Sequence, residues 1–316
     1  MKILITRPMT PAVEERARKE LQAEIRSETS VLSEQEILDA LRQYDVVVPT
    51  LGDMFSADIF AQVGDIRCRL LANFGVGFNH IDVAAAEAAG LQVSNTPGAV
   101  TDATADIALT LILMSARRAG EGERLVRSGS WQGWHPTQML GLHATGKKLG
   151  VLGFGRIGQA IAHRCHFGFG MEVFYTARSD KEVGFPAKRM PDLNTMAQEV
   201  DFLVVAVPGG AETRHLVNAE VLAAMKPTAH LINIARGEVV EQKALISALQ
   251  SGALAGAGLD VYEFEPDVPQ ELIDLENVTL LPHLGTATDE VRSDMGHMAL
   301  DNVAAFLAGR ELPNRV

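Results

Sequence analysis

Cysteine is almost absent. Cys68 and Cys165 are the only two, far apart and outside any pairing motif, which excludes a disulfide framework and points to a reducing compartment. No group of potential ligands has metal-site spacing, so no metal is expected. Long apolar runs are missing as well. The most apolar uncharged stretch, Ile107–Ala116, is about half of what a bilayer span needs. The run inside Met-Lys-Ile-Leu-Ile-Thr-Arg is too short for a signal peptide. Basic residues are outnumbered 28 to 40 by acidic ones, giving a formal charge of −12. Without a basic stripe to neutralise phosphates, a nucleic-acid partner is excluded. An anionic substrate would have to be held by local arginines, because the overall field repels it. These absences describe a soluble, cytoplasmic protein with no membrane or nucleic-acid partner.

What is present is alternation. The 316 residues, 47% of them hydrophobic, exceed the common single-domain size and lead us to expect two domains sharing a cleft. Over residues 1–98 the short apolar runs Ile3–Thr6, Val46–Pro49, Leu70–Asn73 and Leu91–Ser94 read as strands. Between them Pro11–Leu21, Ser33–Arg42 and Val83–Ala89 read as helices, the second opened by a capping box of Ser33 and Glu36. Asn95-Thr96-Pro97-Gly98 interrupts this pattern. Thr101–Arg118 follows as one long, mostly apolar helix, expected to be buried between domains or subunits, with Asp102 and Asp106 near its positive end. Residues 119–147 have little periodicity but carry both tryptophans, Trp131 and Trp134, so they read as an arm packed on another surface.

A second alternating series begins at Lys148. Its strands are expected at Leu149–Gly153, Glu172–Thr176, Phe202–Val207, His230–Ile234, Ala257–Asp260 and Thr279–Leu281. Helices are expected at Ile157–Cys165, Asn218–Ala224 and Glu241–Ser251, with a terminal helix Asp289–Leu307 that packs back on the first domain. The fold class is therefore α/β, with mostly parallel sheets and a doubly wound second domain inserted into the first.

The central motif is Val151–Gly158, VLGFGRIG, a Gly-x-Gly-x-x-Gly loop of Gly153, Gly155 and Gly158 with Phe154, Arg156 and Ile157 between them. It follows a strand signal and opens a helix, the context in which such a loop holds a dinucleotide pyrophosphate on a helix N-terminus. An NAD-selective site usually places an acid about 20 residues further on, against the ribose 2′-hydroxyl. Here the next strand ends in Thr176-Ala177-Arg178-Ser179. Arg178 suits a 2′-phosphate and Ser179 adds a hydroxyl donor, while Asp180 reads as a solvated loop residue. NADP(H) is favoured, and NAD(H) stays open.

Reduction of a 2-oxo acid needs an anchor for the carboxylate, a proton for the carbonyl oxygen and a hydride donor. Arg236 closely follows the strand His230–Ile234, where its fork suits a carboxylate. His283 follows Leu281-Pro282, and histidine is suited to proton donation near neutral pH. Glu265 could hydrogen-bond the imidazole and fix its tautomer. Singly, each has a plain alternative: a surface arginine at a helix start, one acid among several in Tyr262–Asp267, a core histidine. Together, past successive strands and downstream of a nucleotide loop, they favour catalysis. Asn73-Phe74-Gly75-Val76-Gly77 is either a backbone anion nest or a structural turn.

Six ordered segments resemble the D-isomer-specific 2-hydroxyacid dehydrogenases, more narrowly their glyoxylate/hydroxypyruvate reductase branch. They are NFGVGFNHID from Asn73, NTPGAVTDATAD from Asn95, GFGRIG from Gly153, NIARG from Asn233, GLDVYEFEP from Gly258 and PHLGTAT from Pro282. The resemblance implies a flavodoxin-like substrate domain split over about 1–99 and 287–316 and a dinucleotide-binding domain over about 100–286. It implies His283 as acid/base, Glu265 as its partner and Arg236 as substrate clamp. Val76 and Gly77 would offer backbone N–H groups to the carboxylate, with Leu51 lining the pocket. Thr104, Ile234 and Asp260 would lie near the nicotinamide half of the cofactor, and Val207, Pro208, Thr213, Ala235 and Gly285 would line the rest of its site. A homodimer through the coenzyme domain is implied too, with glyoxylate or hydroxypyruvate as substrate and glycolate or D-glycerate as product. Alternatives are a D-3-phosphoglycerate or other D-2-hydroxyacid dehydrogenase, or a nucleotide-sensing scaffold like the corepressors that share the fold. Formate dehydrogenase is disfavoured, because that relative has glutamine where Glu265 stands.

Overall fold

The structure is a computed structural model that describes residues 1–316. The chain forms two compact units, Met1–Val100 with Ala287–Val316, and Thr101–Thr286.

In the first unit β1 (Ile3–Ile5) leads through α1 (Pro11–Leu21) to β2 (Glu24–Ile25), and α2 (Glu34–Gln43) leads to β3 (Val46–Val48). Then come α3 (Ala57–Gln62), β4 (Leu70–Ala72), α4 (Val83–Ala88) and β5 (Gln92–Ser94). The strands pair in parallel in the order β2-β1-β3-β4-β5, the flavodoxin-like order. Parallel strands need crossover helices, which cover both faces, so the strands are apolar throughout instead of alternating. Ile37, Leu41, Val47, Phe55 and Leu71 fill one face. Ile5, Val13, Val48, Ala299 and Val303 fill the other. The capping box forms, with Ser33 Oγ accepting from the Glu36 N–H and Glu36 accepting from the Ser33 N–H at 2.8 Å.

The second unit opens with α5 (Thr101–Ala116) and α6 (Ala119–Arg127), then β6 (Lys148–Leu152), α7 (Arg156–Phe169), β7 (Glu172–Thr176) and β8 (Ala187–Arg189). It continues with α8 (Leu193–Glu199), β9 (Phe202–Val205), α9 (Ala219–Ala224), β10 (His230–Asn233) and α10 (Gln242–Gln250). The last elements are β11 (Gly256–Leu259), α11 (Gln270–Ile273) and β12 (Val278–Leu280). Seven parallel strands run β12-β11-β10-β9-β6-β7-β8. The chain winds outward from β6 in one direction and from β9 in the other, so the switch point lies between those two neighbours. The final helix α12 (Asp289–Leu307) belongs to the first unit and packs on α1 and β4 there. No helix is long and apolar enough to cross a membrane.

One expectation gains detail and another needs correcting. The apolar helix α5 is buried inside its own unit: Ala105, Ala108, Leu111 and Ile112 join Leu149, Val151, Ile161 and Ile232 in one core. It must be apolar because it covers the sheet face over β10, β11 and β12 while packing on α7. Residues 119–127, read as aperiodic, form α6. Gly120 and Gly122 hide its pattern, but Arg118 pairs with Glu121, and Arg127 with Glu123. Both cysteines are buried, Cys68 in the first unit and Cys165 in the second, and burial pushes each thiol up to about 12.

His230 starts β10 at 6% exposure, its Nδ1 2.7 Å from the Ser115 hydroxyl of α5 and its ring stacked on Phe202. Burial lowers its pKa to about 4. The unfolded chain therefore binds the proton more readily, and this group's penalty on the fold grows as pH falls below the ordinary histidine value. Between about pH 7 and 4.5 it should remove roughly 2 kcal/mol of stability. Urea unfolding of His230→Gln should show an acid-side decline shallower by that amount, and an unchanged decline would refute the assignment.

Candidate active site

Parallel strands deliver all their carboxyl ends to one edge, and β10, β11 and β12 are neighbours. The loops that leave them carry Arg236, Glu265 and His283, so three residues distant in sequence share one edge. His283 Nδ1 lies 2.8 Å from Glu265 Oε2, with the two side chains 32% and 30% exposed. The carboxylate's other oxygen accepts the Tyr262 N–H at 3.0 Å. Burial alone would raise the Glu265 pKa, but the hydrogen bond and charge of His283, the Tyr262 N–H and the charge of Arg236 outweigh it. The carboxyl is held below its ordinary value. The acid therefore stays ionised at neutral pH, and the pair engages Nδ1 and not Nε2, the imidazole's other nitrogen.

His283 occupies the left-handed region at φ 55°, a conformation costing about 1–2 kcal/mol for a residue with a Cβ. Its N–H donates to the Asp260 carbonyl at 3.0 Å. The Asp260 carboxylate, 1% exposed, accepts from Leu284 N–H at 2.6 Å and Gly285 N–H at 2.8 Å. Burial raises the Asp260 pKa despite these two donors. On α5, Thr104 Oγ1 donates to the Gly285 carbonyl at 3.2 Å. Thr104, Asp260 and Gly285 are thus brought together beside the histidine. Tyr262 adds a further brace, its hydroxyl donating to the Leu281 carbonyl at 2.8 Å.

Arg236 follows β10 through Ile234 and Ala235, which are 7% and 8% exposed. Asn233 shapes the turn, its Oδ1 accepting the Ala235 N–H and its Nδ2 donating to the Arg236 carbonyl. Burial lowers the guanidinium pKa, opposed by the charges of Glu265 and Glu238. An arginine this basic still keeps its charge. Gly237 is dictated by contact, because a Cβ there would lie 1.8 Å from the Tyr262 carbonyl carbon.

The glycine loop follows β6 at the switch point. Gly153 has φ 93°, and a Cβ on it would lie 2.7 Å from Val207 and 2.8 Å from the Ala206 carbonyl. That close approach joins the loop to the end of β9, where Pro208 and Thr213 close a turn through the Thr213 hydroxyl on the Pro208 carbonyl at 2.7 Å. At Gly155, the N-cap of the 14-residue α7, a Cβ would meet nothing within 4 Å. Backbone N–H groups beside open space at a helix N-terminus fit a dinucleotide pyrophosphate. Arg156 is exposed and Ile157 half-buried. Phe154 is 1% exposed and stacks on Tyr175 at 4.1 Å, so its side chain belongs to the core and only its backbone can serve a cofactor. At the tip of β7, Arg178 and Ser179 are exposed, and Arg178 is 3.0 Å from Glu212. Asp180 pairs with Arg189, which also donates to the Ala177 and Arg178 carbonyls. Arg189 was missed in the sequence because it ends a three-residue polar strand.

Leu51, Val76 and Gly77 lie in loops of the first unit and are half-buried. No group of histidine, cysteine or carboxylate side chains is arranged to hold a metal ion.

A doubly wound sheet with this loop at its switch point, and an arginine, an acid and a histidine at neighbouring strand ends, defines a dinucleotide-dependent oxidoreductase. Comparison with known proteins narrows the class. Residues 109–285 match the family profile described as D-isomer specific 2-hydroxyacid dehydrogenase, NAD binding domain. The chain is 42% identical to a glyoxylate reductase of Thermococcus kodakarensis, covering 100% of this chain and 96% of that protein. It is 35% identical to a glycerate dehydrogenase of Hyphomicrobium methylovorum, over 98% and 97% of the two chains. Among solved structures, the NADPH-dependent glyoxylate/hydroxypyruvate reductase of Sinorhizobium meliloti, in complex with NADP and malonate, superposes with a TM-score of 0.88. It shares 35% identity, and the match covers 100% of this chain and 96% of that one. The chain belongs to the D-isomer-specific 2-hydroxyacid dehydrogenase family, and it is an oxidoreductase that uses a nicotinamide dinucleotide.

If Glu265 orients the imidazole, Glu265→Gln should lower kcat by about 10-fold or more without changing dinucleotide affinity. Turnover assays paired with nucleotide fluorescence titration check this, and an unchanged kcat would remove the role.

Proposed function

We propose that the enzyme reduces a small 2-oxo acid, glyoxylate or hydroxypyruvate, to glycolate or D-glycerate, with NADPH preferred over NADH. The observation that carries the reading is the 2.8 Å pair of His283 and Glu265 on strand ends adjacent to the one that delivers Arg236. When bound, the reduced nicotinamide supplies hydride to the carbonyl carbon. The chain's own residues do the remainder. Arg236 holds the carboxylate and polarises the neighbouring carbonyl, and Val76 and Gly77 offer it backbone N–H groups. His283 delivers a proton from Nε2 to the carbonyl oxygen, while Glu265 stabilises the charged imidazole that exists before transfer. Leu51 is a further candidate for substrate contact, from the first unit. In the oxidative direction His283 takes the proton back.

Gly153–Gly158 would hold the dinucleotide, with Thr104, Ile234 and Asp260 toward its nicotinamide half and Val207, Pro208, Thr213, Ala235 and Gly285 lining the rest. Preference for NADPH is supported by Arg178 and Ser179 at the tip of β7, and by Asp180 being engaged with Arg189 rather than offered to a ribose. Glu212 is the counterion Arg178 would exchange for the 2′-phosphate. We place the protein in the cytoplasm as a homodimer formed through the coenzyme unit, whose Trp131 and Trp134 are 51% and 78% exposed. A sedimentation mass of one chain would contradict the dimer.

NADPH oxidation with glyoxylate, hydroxypyruvate, pyruvate and phenylpyruvate tests the substrate assignment. The first two should turn over best, and no turnover with any of the four would overturn it. In the same assay Arg178→Ala should raise the KM for NADPH by about 10-fold or more with little change for NADH. Equal losses with both coenzymes would refute 2′-phosphate recognition.

A further inference from the structure

The segment Asn73–Gly77 leaves β4 within the first unit, and the N–H groups of Val76 and Gly77 donate to no acceptor of the chain. A trans peptide is planar, with its C=O and N–H pointing in opposite directions. Fixing a carbonyl therefore aims the N–H of the following residue the other way. Here the carbonyls are fixed one after another. The Gly75 carbonyl accepts from Asn73 Nδ2 at 3.0 Å and from the Thr96 N–H at 3.1 Å. The Val76 carbonyl accepts from Asn95 Nδ2 at 2.9 Å. The Gly77 carbonyl accepts from Asn73 Nδ2 at 3.1 Å. Three consecutive peptide planes are thus oriented by two asparagine amides, and the first two planes carry the Val76 and Gly77 N–H groups.

Asn73 is itself locked. It is 0% exposed, and both Nδ2 hydrogens are spent on carbonyls, so its Oδ1 is the acceptor facing His80 Nε2 at 2.9 Å. A flipped amide would set its oxygen against two carbonyl oxygens. The contact also fixes the histidine: Nε2 must carry a hydrogen. His80 is 3% exposed.

We propose that Asn95, Asn73 and His80 are positioning residues for substrate. Through the Gly75 and Val76 carbonyls they aim the Val76 and Gly77 N–H groups as a preset clamp for a carboxylate, a geometry the chain would otherwise have to organise on binding. This rests on the reading of those two N–H groups as carboxylate donors. None of the three side chains need touch the substrate.

The test compares Asn95→Ala and Asn95→Asp, which both lose the donor to Val76, with wild type. Either change should raise the KM for glyoxylate by about 10-fold and weaken competitive inhibition by oxalate equally, as expected for one misdirected charge-assisted hydrogen bond. The KM for NADPH and the Tm should hold, and kcat should fall by less than about 3-fold. At the buried position His80→Gln, which keeps a donor, should retain most of the glyoxylate affinity that His80→Leu loses. A glyoxylate KM and oxalate inhibition unchanged in Asn95→Ala, or a loss spread equally over kcat and both KM values, would overturn the proposal. Should the Asn95 variants not fold, the two His80 variants decide, and equal KM values for them overturn it. Wild-type enzyme that neither reduces glyoxylate nor binds oxalate would instead defeat the underlying reading of the loop.

Discussion

The sheet edge that carries Arg236, Glu265 and His283 depends on one buried carboxylate. Asp260 ends β11, and its backbone and side chain take three successive N–H groups, those of His283, Leu284 and Gly285. An unpaired carboxylate at this depth would be expensive, and the Leu284 and Gly285 N–H groups would be left without an acceptor if it were removed. The mutual satisfaction binds the loop after β12 to the end of β11 and holds His283 in a left-handed conformation it would not choose alone. From that backbone position the imidazole Nδ1 lies 2.8 Å from Glu265. Thr104, reaching the Gly285 carbonyl from α5, ties the same loop to the helix that covers the sheet.

Both units exploit the same constraint of parallel pairing. A parallel sheet sends each connection back across a face, so each loop at the carboxyl edge is free of ladder bonds and available for chemistry. In the second unit that edge collects the glycine loop, the β9 turn and Arg236, Glu265 and His283. In the first unit it collects the loops around Leu51 and Asn73. Asp53, fully buried, shows the same device as Asp260: it accepts from the Thr6 hydroxyl at 2.6 Å and from the Thr50 and Leu32 N–H groups at 2.9 Å, fixing the turn that presents Leu51.

Much of this was readable from residue order alone. Runs such as Val46-Val47-Val48 and Phe202–Val205 announced central strands because both of their faces are covered, and Gly153, Gly155 and Gly158 announced the turn into α7. The edge strands Glu24–Ile25 and Ala187–Arg189 escaped, since two or three residues at a sheet margin are too few to show a period. The short helices α3 and α8 escaped too, although Ser56 and Asp192 cap them, because six or seven residues hold too few turns to show a stripe. At the site, Arg236, Glu265 and His283 were visible as chemistry, while their supports were not. Asp260 was carried over from resemblance as a cofactor residue, and nothing in its neighbourhood of sequence revealed that it accepts from residues 283–285. Asn73 and Asn95 sat within quoted motifs, but peptide-plane orientation is a property of three dimensions.

The distribution of sulfur has a practical consequence. Each compact unit contains a single thiol, and both are sealed from solvent with their ionisation suppressed. Alkylating reagents act on thiolates and need access, so the native chain resists them, and labelling happens only when a unit opens. Quantifying adducts on the two peptides after timed exposure to a maleimide would therefore report breathing of each half separately, using the chain without any engineered probe.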